Sequence, residues 1–357
     1  ALSEIVHRHE ILRTSIQTVN GRPIQIIHPE ITINIKLVDL QQLLNPQNPQ
    51  RETFLEQQIQ LEAITPFDLE NAPLIRFSLF QSSTRKYVLL LTMHHIISDG
   101  WSMGIFISEL SSLYQAFCAG EPSPLPELPL QYADFAVWQR QWLSGVVLET
   151  QLNYWREQLH GVPSLLQLPT DRPRPAVQTY NGRTQIFRLN RDLTQKLQSL
   201  SSESGTTLFM TLLAAFATLL YRYSDQSDIL LGTPIANRNR SEIESLIGFF
   251  VNTLVLKTNF EDNPSFQKLL TQVKETTLQA YEHQDVPLEQ VVEALKPERS
   301  LSHSPLFQVM FGLQNLPINE IELPDITLTQ LETENTIAKF DLTLLISETE
   351  QELVGSW

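Results

Sequence analysis

The pattern of apolar and polar positions along the chain predicts a fold that contains both helices and strands. Short apolar runs and alternation at every second position predict strands, whereas apolar residues spaced three and four apart predict helices. The predicted strands lie at residues 24–27, 33–37, 75–80, 87–95, 184–189, 229–236, 252–258, 306–313 and 340–347. The predicted helices lie at residues 102–117, 132–143, 148–159, 193–202, 208–221, 266–282 and 288–295. Because strands and helices do not alternate strictly, we expect an α/β fold of the α+β kind, with mixed sheets flanked by helices.

Two proline-rich stretches interrupt this pattern, at residues 121–129 and 169–175. Proline fixes φ and lacks an N–H, so it disfavours helix and central strand alike. A chain of 357 residues with 42% hydrophobic content can bury a large core and is long enough for two lobes. We therefore predict an N-terminal lobe at residues 1–167 and a C-terminal lobe at residues 168–357. The patterns at the two ends look cut, so we expect both lobes to be incomplete.

The composition narrows the class of partner. Lys and Arg number 25 against 40 Asp and Glu, and the net charge of −15 disfavours nucleic acid. The chain does not open on a signal peptide, and its longest apolar segment, residues 208–221, is shorter than the roughly 20 residues that cross a bilayer. The single cysteine, Cys118, lies in a helical pattern that predicts a buried thiol, and Trp138, Trp142 and Trp155 are predicted to be core anchors. We expect a cytoplasmic protein with no membrane partner.

The segment from His94 to Gly100 carries the strongest indication of chemistry. Two adjacent histidines follow an apolar strand, and an Asp-Gly pair stands just ahead of a predicted helix. We expect the histidines in a low-dielectric environment, where a proton acceptor can be tuned. Neighbouring side chains on a strand point to opposite faces, so one histidine should act while the other anchors the loop. Imidazole has an ordinary pKa of about 6.5 and can accept a proton from an attacking amine or hydroxyl, so the pattern suggests acyl transfer, with His95, nearer the loop, as the better candidate.

Asp99 and Gly100 have structural as well as functional interpretations. Asp99 is suited to cap the helix or to pair with an arginine that fixes the loop, and holding the tautomer of a catalytic histidine stays open as an alternative. Gly100 would permit an unusual backbone conformation or the close approach of a substrate. A metal site built from His94, His95 and Asp99 is not expected, because adjacent strand histidines diverge and no clustered third His or Cys has zinc spacing.

The same segment, continued by Trp101 and Ser102, resembles the His-His-x-x-x-Asp-Gly signature of condensation domains of non-ribosomal peptide synthetases. These domains are relatives of the chloramphenicol acetyltransferase-like acyltransferases. Further stretches resemble the other motifs of the family, in the family's order. They are residues 8–14 (Arg-His-Glu-Ile-Leu-Arg-Thr), 132–139, 247–253, 283–287 and 304–308. The resemblance covers nearly the whole chain, which is identified as a member of this family.

The resemblance implies two acyltransferase-like lobes in a V-shaped pseudo-dimer, with the histidine motif in a central tunnel. It implies that donor and acceptor carrier domains, upstream and downstream, present their substrates on 4′-phosphopantetheine arms. An adenylation domain is expected in the same polypeptide, and the domain itself is expected to bind no cofactor or metal. The family's catalytic motif corresponds to His94, His95, Asp99 and Gly100. In the family the second histidine, here His95, positions or deprotonates the acceptor amine, and the aspartate, here Asp99, is mainly structural.

The resemblance also implies residues around the motif. As the partner of Asp99 it favours Arg13, with Arg238 as the rival. Three residues are expected to line the substrate tunnel: Trp101, Ser102 and Asn252. The sequences of residues 8–14 and 94–102 are most similar to those of family members that join an L-configured donor to an L-configured acceptor.

Two other functions stay open on the sequence. One is a non-catalytic platform that docks carrier domains or recruits other enzymes. The other is a free-standing acyltransferase that uses a diffusible coenzyme A ester. The intact histidine motif favours the condensing enzyme over the first of these.

Overall fold

The computed structural model describes residues 1–43, 50–314, 321–331, 336–349 and 352–357. In chain order its helices are α1 (Leu2–Arg8), α2 (Leu40–Leu43), α3 (Gln50–Ile64), α4 (Gly100–Cys118), α5 (Tyr132–Trp142), α6 (Gly145–Gln158), α7 (Arg191–Glu203), α8 (Leu208–Ser224), α9 (Ser241–Glu244), α10 (Phe266–Glu282) and α11 (Leu288–Leu295). Its strands are β1 (Thr14–Val19), β2 (Arg22–Ile27), β3 (Ile35–Asp39), β4 (Ile75–Gln81), β5 (Tyr87–Met93), β6 (Ile186–Leu189), β7 (Asp228–Ile235), β8 (Asn252–Asn259), β9 (Val309–Gln314), β10 (Ile321–Leu323), β11 (Ile326–Leu328), β12 (Leu342–Glu348) and β13 (Leu353–Ser356). Short 3-10 helices occupy Glu10–Arg13 and His95–Ile97.

The chain forms two units, each with its own core. The first comprises Ala1–Gln141, Arg238–Phe250 and the described part of Asn319–Thr333. The second comprises Trp142–Asn237 and the described parts of Val251–Ile318 and Glu334–Trp357. Each unit is therefore assembled from segments that are distant in sequence.

The first unit is built around a three-stranded sheet in the order β3-β4-β5. Strand β3 runs parallel to β4, and β4 runs antiparallel to β5. Leu12 and Leu74 pack in one buried cluster with Ile5 from α1 and with Phe106 and Leu113 from α4. This packing fixes α4, whose N-terminus carries the Asp-Gly of the histidine motif.

The second unit is built around a six-stranded sheet in the order β6-β13-β12-β9-β7-β8. Strand β9 lies parallel to both β12 and β7, whereas the remaining pairs are antiparallel. Helix α8 packs its apolar length into the core of this unit together with α10. The combination of parallel and antiparallel pairing confirms the prediction of mixed sheets flanked by helices.

The units divide at a different place from the predicted lobes of residues 1–167 and 168–357. The first break along the chain falls after Gln141, because α6 packs Leu152 and Trp155 into the core of the second unit. The stretch Arg238–Phe250, far beyond the proline-rich segment, belongs to the first unit. Proline content marks a break in secondary structure, but the choice of core decides which unit a helix joins.

One prediction about burial is wrong and another holds in part. Cys118 is exposed, because it is the last residue of α4 and follows the final turn that faces the core. Of the three tryptophans, Trp155 is buried, Trp138 is half-buried and Trp142 is 37% exposed at the end of α5.

Among the described residues, no single helix is long and apolar enough to cross a membrane, although α7 and α8, bent by 105° between them, pass that test as a pair.

Candidate active site

His94 ends the strand and starts the loop that carries the motif. Strand β5 ends at Met93, and the backbone N–H of His94 donates to the Leu74 carbonyl at 3.0 Å. Its ring Nδ1 accepts the N–H of Ile96 at 3.0 Å and so caps the 3-10 helix. Burial, followed by the neighbouring charge of His95, lowers the pKa of His94. One ring nitrogen of His94 is therefore engaged by the backbone of the loop, and the lowered pKa favours the neutral ring.

His95 has a different environment. It begins the 3-10 helix, beyond the end of β5 at Met93, so strand alternation does not set the direction of its ring. Its side chain is exposed, which contradicts the expected low-dielectric environment. The ring contacts Phe249 edge to face, with centroids 5.2 Å apart and planes at 75°. His95 is thus accessible to a substrate while being held on one side.

Asp99 caps α4 and is fully engaged in doing so. Its Oδ1 accepts the Ser102 N–H at 2.9 Å and the Ser102 hydroxyl at 2.7 Å. Its Oδ2 accepts the N–H of Phe250 at 3.0 Å. The residue is 5% exposed and pairs with Arg238 at 3.3 Å. These bonds give the carboxylate a structural role, as the helix cap predicts.

Arg238 is the ion-pair partner, and the preference for Arg13 is wrong. The guanidinium of Arg13 bonds to Glu10 and to the carbonyl oxygens of His7 and His28. Arg238 comes instead from the segment that joins the first unit from far along the chain, and its guanidinium lies over the Phe250 ring at 4.0 Å.

Arg238 fastens its own segment as well as pairing with Asp99. One of its terminal nitrogens donates to the Ile243 and Leu246 carbonyls at 2.6 and 2.7 Å. Burial lowers the pKa of Arg238, and the charge of Asp99 opposes that effect. The ion pair and these carbonyl bonds together fix the segment against the start of α4.

Ser102 is the centre of this arrangement. Its hydroxyl accepts from Arg238 at 3.0 Å and from the N–H of Gly248 at 3.1 Å. The hydroxyl has one proton to donate, and two acceptors lie within reach of it, the carboxylate of Asp99 at 2.7 Å and the carbonyl oxygen of Gly248 at 3.0 Å. We refer to Asp99, Ser102 and Arg238 as the buried hub.

The residues predicted to line the tunnel differ in their exposure. Ser102 is fully buried, so it does not line a substrate surface. Trp101 is 43% exposed, and its indole N–H donates to the Glu244 carbonyl at 3.0 Å. Asn252 belongs to the second unit, where it is 8% exposed and holds the loop at residues 284–288.

Gly100 opens α4 with ordinary backbone geometry. Its φ lies outside the left-handed region, so the expected unusual conformation is absent, and an added Cβ would meet no heavy atom within 4 Å. The close approach of a substrate stays a prediction. In the part of the chain that is described, no group of three or more His, Cys, Asp or Glu side chains could hold a metal ion.

Sequence reasoning assigned no role to two residues beside the motif. Phe249 contacts His95, and the hydroxyl of Tyr132 donates to the Phe249 carbonyl at 3.0 Å. Burial and the charge of Asp99 raise the pKa of Tyr132 to about 12, so its hydroxyl stays a donor at neutral pH. Both residues lie in stretches that resemble family motifs, but nothing in the sequence places those stretches beside His95.

This chain is similar to parts of peptide synthetases. One of the proteins that make up the linear gramicidin synthase of Brevibacillus parabrevis is 52% identical to it over 358 residues, which are 100% of this chain and 7% of that protein. A chain in the complex of the X-domain and OxyB from teicoplanin biosynthesis has a TM-score of 0.87 at 28% identity, covering 99% of this chain and 78% of that one. A four-domain nonribosomal peptide synthetase bound to AMP and glycine has a TM-score of 0.85 at 25% identity, covering 99% of this chain and 27% of that one.

These likenesses agree with the match to a protein family over almost the whole length. The family model described as the condensation domain matches residues 1–355. The chain belongs to the condensation-domain family, the acyltransferase domains that form peptide bonds in non-ribosomal peptide synthetases.

Proposed function

We propose that this chain forms an amide bond between two carrier-bound substrates, with His95 positioning or deprotonating the attacking amine. The acceptor amine attacks the carbonyl carbon of the donor thioester. A C–N bond forms, the C–S bond breaks, and the amine proton passes to the sulfur of the donor carrier. The observation that carries this assignment is the exposed imidazole of His95, which lies just before the buried hub at the start of α4.

The surrounding residues support a division of roles. A neutral imidazole can accept a proton at neutral pH and deliver it later. His94 already uses Nδ1 to accept a backbone N–H, and the carboxylate of Asp99 is engaged by the buried hub. His95 is therefore the member of the motif whose ring faces solvent and can meet a substrate.

The donor and acceptor are thioesters on the 4′-phosphopantetheine arms of an upstream and a downstream carrier domain. An adenylation domain adjoins this chain in one polypeptide. The motif resemblance supports both statements, as does the 7% share of the gramicidin synthase protein that the chain spans. Holding both reactants on tethers removes an entropic barrier of roughly 7–11 kcal/mol. The amino-acid sequences of residues 8–14 and 94–102 support an L-configured donor and an L-configured acceptor. A cytoplasmic location stays a prediction.

The experiment is single-turnover condensation by the synthetase that contains this chain, with both carriers loaded. We expect His95→Ala to lower the rate of dipeptidyl product formation by about 10²–10⁴, the usual contribution of a general base. His7→Ala is the matched control, since His7 is exposed at the end of α1. An unchanged rate in His95→Ala would contradict the assignment.

The alternative is a non-catalytic platform that recruits another enzyme. The observation that favours it is the likeness to the X-domain, whose solved structure is a complex with OxyB. Product formation by the wild type that depends on His95 rules this alternative out. Product from a free coenzyme A ester at the same rate as from a loaded carrier would favour the free-standing acyltransferase instead.

A further inference from the structure

Phe249 is an exposed aromatic residue that lies against the candidate catalytic histidine. The ring is 40% exposed, yet its edge-to-face geometry with His95 is that of a specific aromatic pair. Aromatic pairs of this kind contribute beyond the apolar area that they bury. The contact therefore restrains the imidazole on one side.

The backbone around Phe249 is tied at three successive residues. The N–H of Gly248 donates to Ser102, the carbonyl of Phe249 accepts from Tyr132, and the N–H of Phe250 donates to Asp99. The conformation at Gly248 also depends on its lack of a side chain, because a Cβ there would come within 2.3 Å of the Tyr132 ring. These ties use main-chain atoms of the segment, so they persist when the side chain of Phe249 is changed.

We propose that Phe249 is a positioning residue that holds the imidazole of His95 in the orientation needed for condensation. The buried hub and Tyr132 fix the backbone of the segment, and the phenyl ring transmits that position to His95. The imidazole is restrained from rotating, and one of its sides is covered. This role rests on the proposed function, because it assumes that the orientation of His95 matters for turnover.

The kinetic test compares three variants of the full synthetase. We expect Phe249→Ala to lower kcat for condensation about two- to tenfold, the range that an aromatic pair supplies. We expect the KM for the acceptor thioester to stay the same and Phe249→Tyr to retain the wild-type kcat. Phe117→Leu is the matched control, since Phe117 is also 40% exposed and lies in the last turn of α4.

A second measurement reads the contact without turnover. Diethyl pyrocarbonate acylates neutral imidazoles, and mass spectrometry of peptides gives a rate for each histidine. We expect Phe249→Ala to raise the rate at His95 about two- to tenfold relative to wild type, because the ring is uncovered and free to rotate. Exposed His7 and buried His9 serve as internal references, and neither rate should change.

The outcomes separate the two proposals. An unchanged labelling rate at His95 in Phe249→Ala would overturn the claim that Phe249 restrains His95, whether or not kcat changes. Faster labelling with unchanged kcat would overturn the claim that orientation matters. A fall in kcat that Phe249→Tyr does not rescue would also overturn it. The proposed function fails on a different result, an unchanged rate in His95→Ala.

Discussion

Two loops in this protein are held by different chemistry. In the first unit, residues 248–250 are held by the buried hub, which contains a carboxylate and a guanidinium. In the second unit, residues 284–288 are held by the side-chain amides of Asn252 and Gln151. Both loops lie in stretches that resemble family motifs, and both depend on side chains from distant segments.

The side-chain amides of Asn252 and Gln151 form hydrogen bonds with backbone N–H and C=O groups of residues 284–288. Asn252 donates to the Gln284 and Val286 carbonyls at 2.8 Å and accepts the Leu288 N–H at 3.1 Å. Gln151 accepts the N–H groups of Asp285 and Val286, and it donates to the Asp285 carboxylate at 2.7 Å. Neutral amides lose little on burial when every donor and acceptor is used.

The two kinds of tie make the loops vulnerable in different ways. Removing one member of a buried ion pair leaves a charge without its partner, whereas removing a neutral amide leaves only unpaired dipoles. The loop beside His95 should therefore be the more sensitive to substitution.

The largest effect is expected when Asp99 loses its charge. Asp99→Asn keeps the shape of the side chain but leaves Arg238 buried and unpaired, which we expect to lower the free energy of unfolding by about 3–5 kcal/mol. Urea denaturation measures it. Adding Arg238→Met to this variant should recover part of the loss. Wild-type stability combined with lost activity would show that Asp99 acts in the chemistry and not in the hub.

A smaller effect is expected in the second unit. Asn252→Ala leaves two carbonyls and the Leu288 N–H of the loop without their partner, and we expect a loss of about 1–3 kcal/mol in the same measurement. Asn153→Ala, at an exposed position of α6, should change little. A loss of unfolding free energy as large as that of Asp99→Asn would contradict the expected difference between a loop held by an ion pair and a loop held by neutral amides.

The smallest effect concerns acid. Glu109 is 7% exposed and bonds to Arg8 and His9, each at 2.9 Å. Burial by itself would raise the pKa of Glu109, but the bonds and charges of His9 and Arg8 outweigh it and hold the pKa below 4.5. A carboxyl with a lowered pKa adds stability above its unfolded value, and this stability is lost as the pH falls through the folded value.

The test is the slope of unfolding free energy against pH below 4.5. We expect Glu109→Gln to flatten that slope by at most about 1.4 kcal/mol per pH unit, because one proton is linked. Asn153→Ala is the comparison, because it removes no titratable group from an exposed position, and it should leave the slope as in the wild type. Identical slopes in the wild type and Glu109→Gln would contradict the ionic role of Glu109.

Much of the secondary structure could be predicted from periodicity. The bounds of α10 and α11 are those predicted, and α8 begins at the predicted residue, because each packs a continuous apolar face on its core. Strand β1 and helix α3 are absent from the prediction. The first is rich in polar residues and forms a two-stranded sheet with β2, and the second is glutamine-rich with little apolar periodicity.

The sequence by itself is enough to identify the family, to predict the mixed sheets and to place the histidine motif at the start of a helix. Periodicity selects the elements, and Asp99 caps the helix that directly follows it. Tertiary packing, by contrast, pairs Asp99 with Arg238, 139 residues away, and places Phe249 against His95. Both contacts depend on Arg238–Phe250, a segment of the first unit that follows Trp142–Asn237 of the second unit in the sequence. The local pattern of apolar and polar residues does not indicate that this segment packs in the first unit. The exposure of His95 has the same origin, since it depends on which side of the turn remains uncovered after the two segments meet.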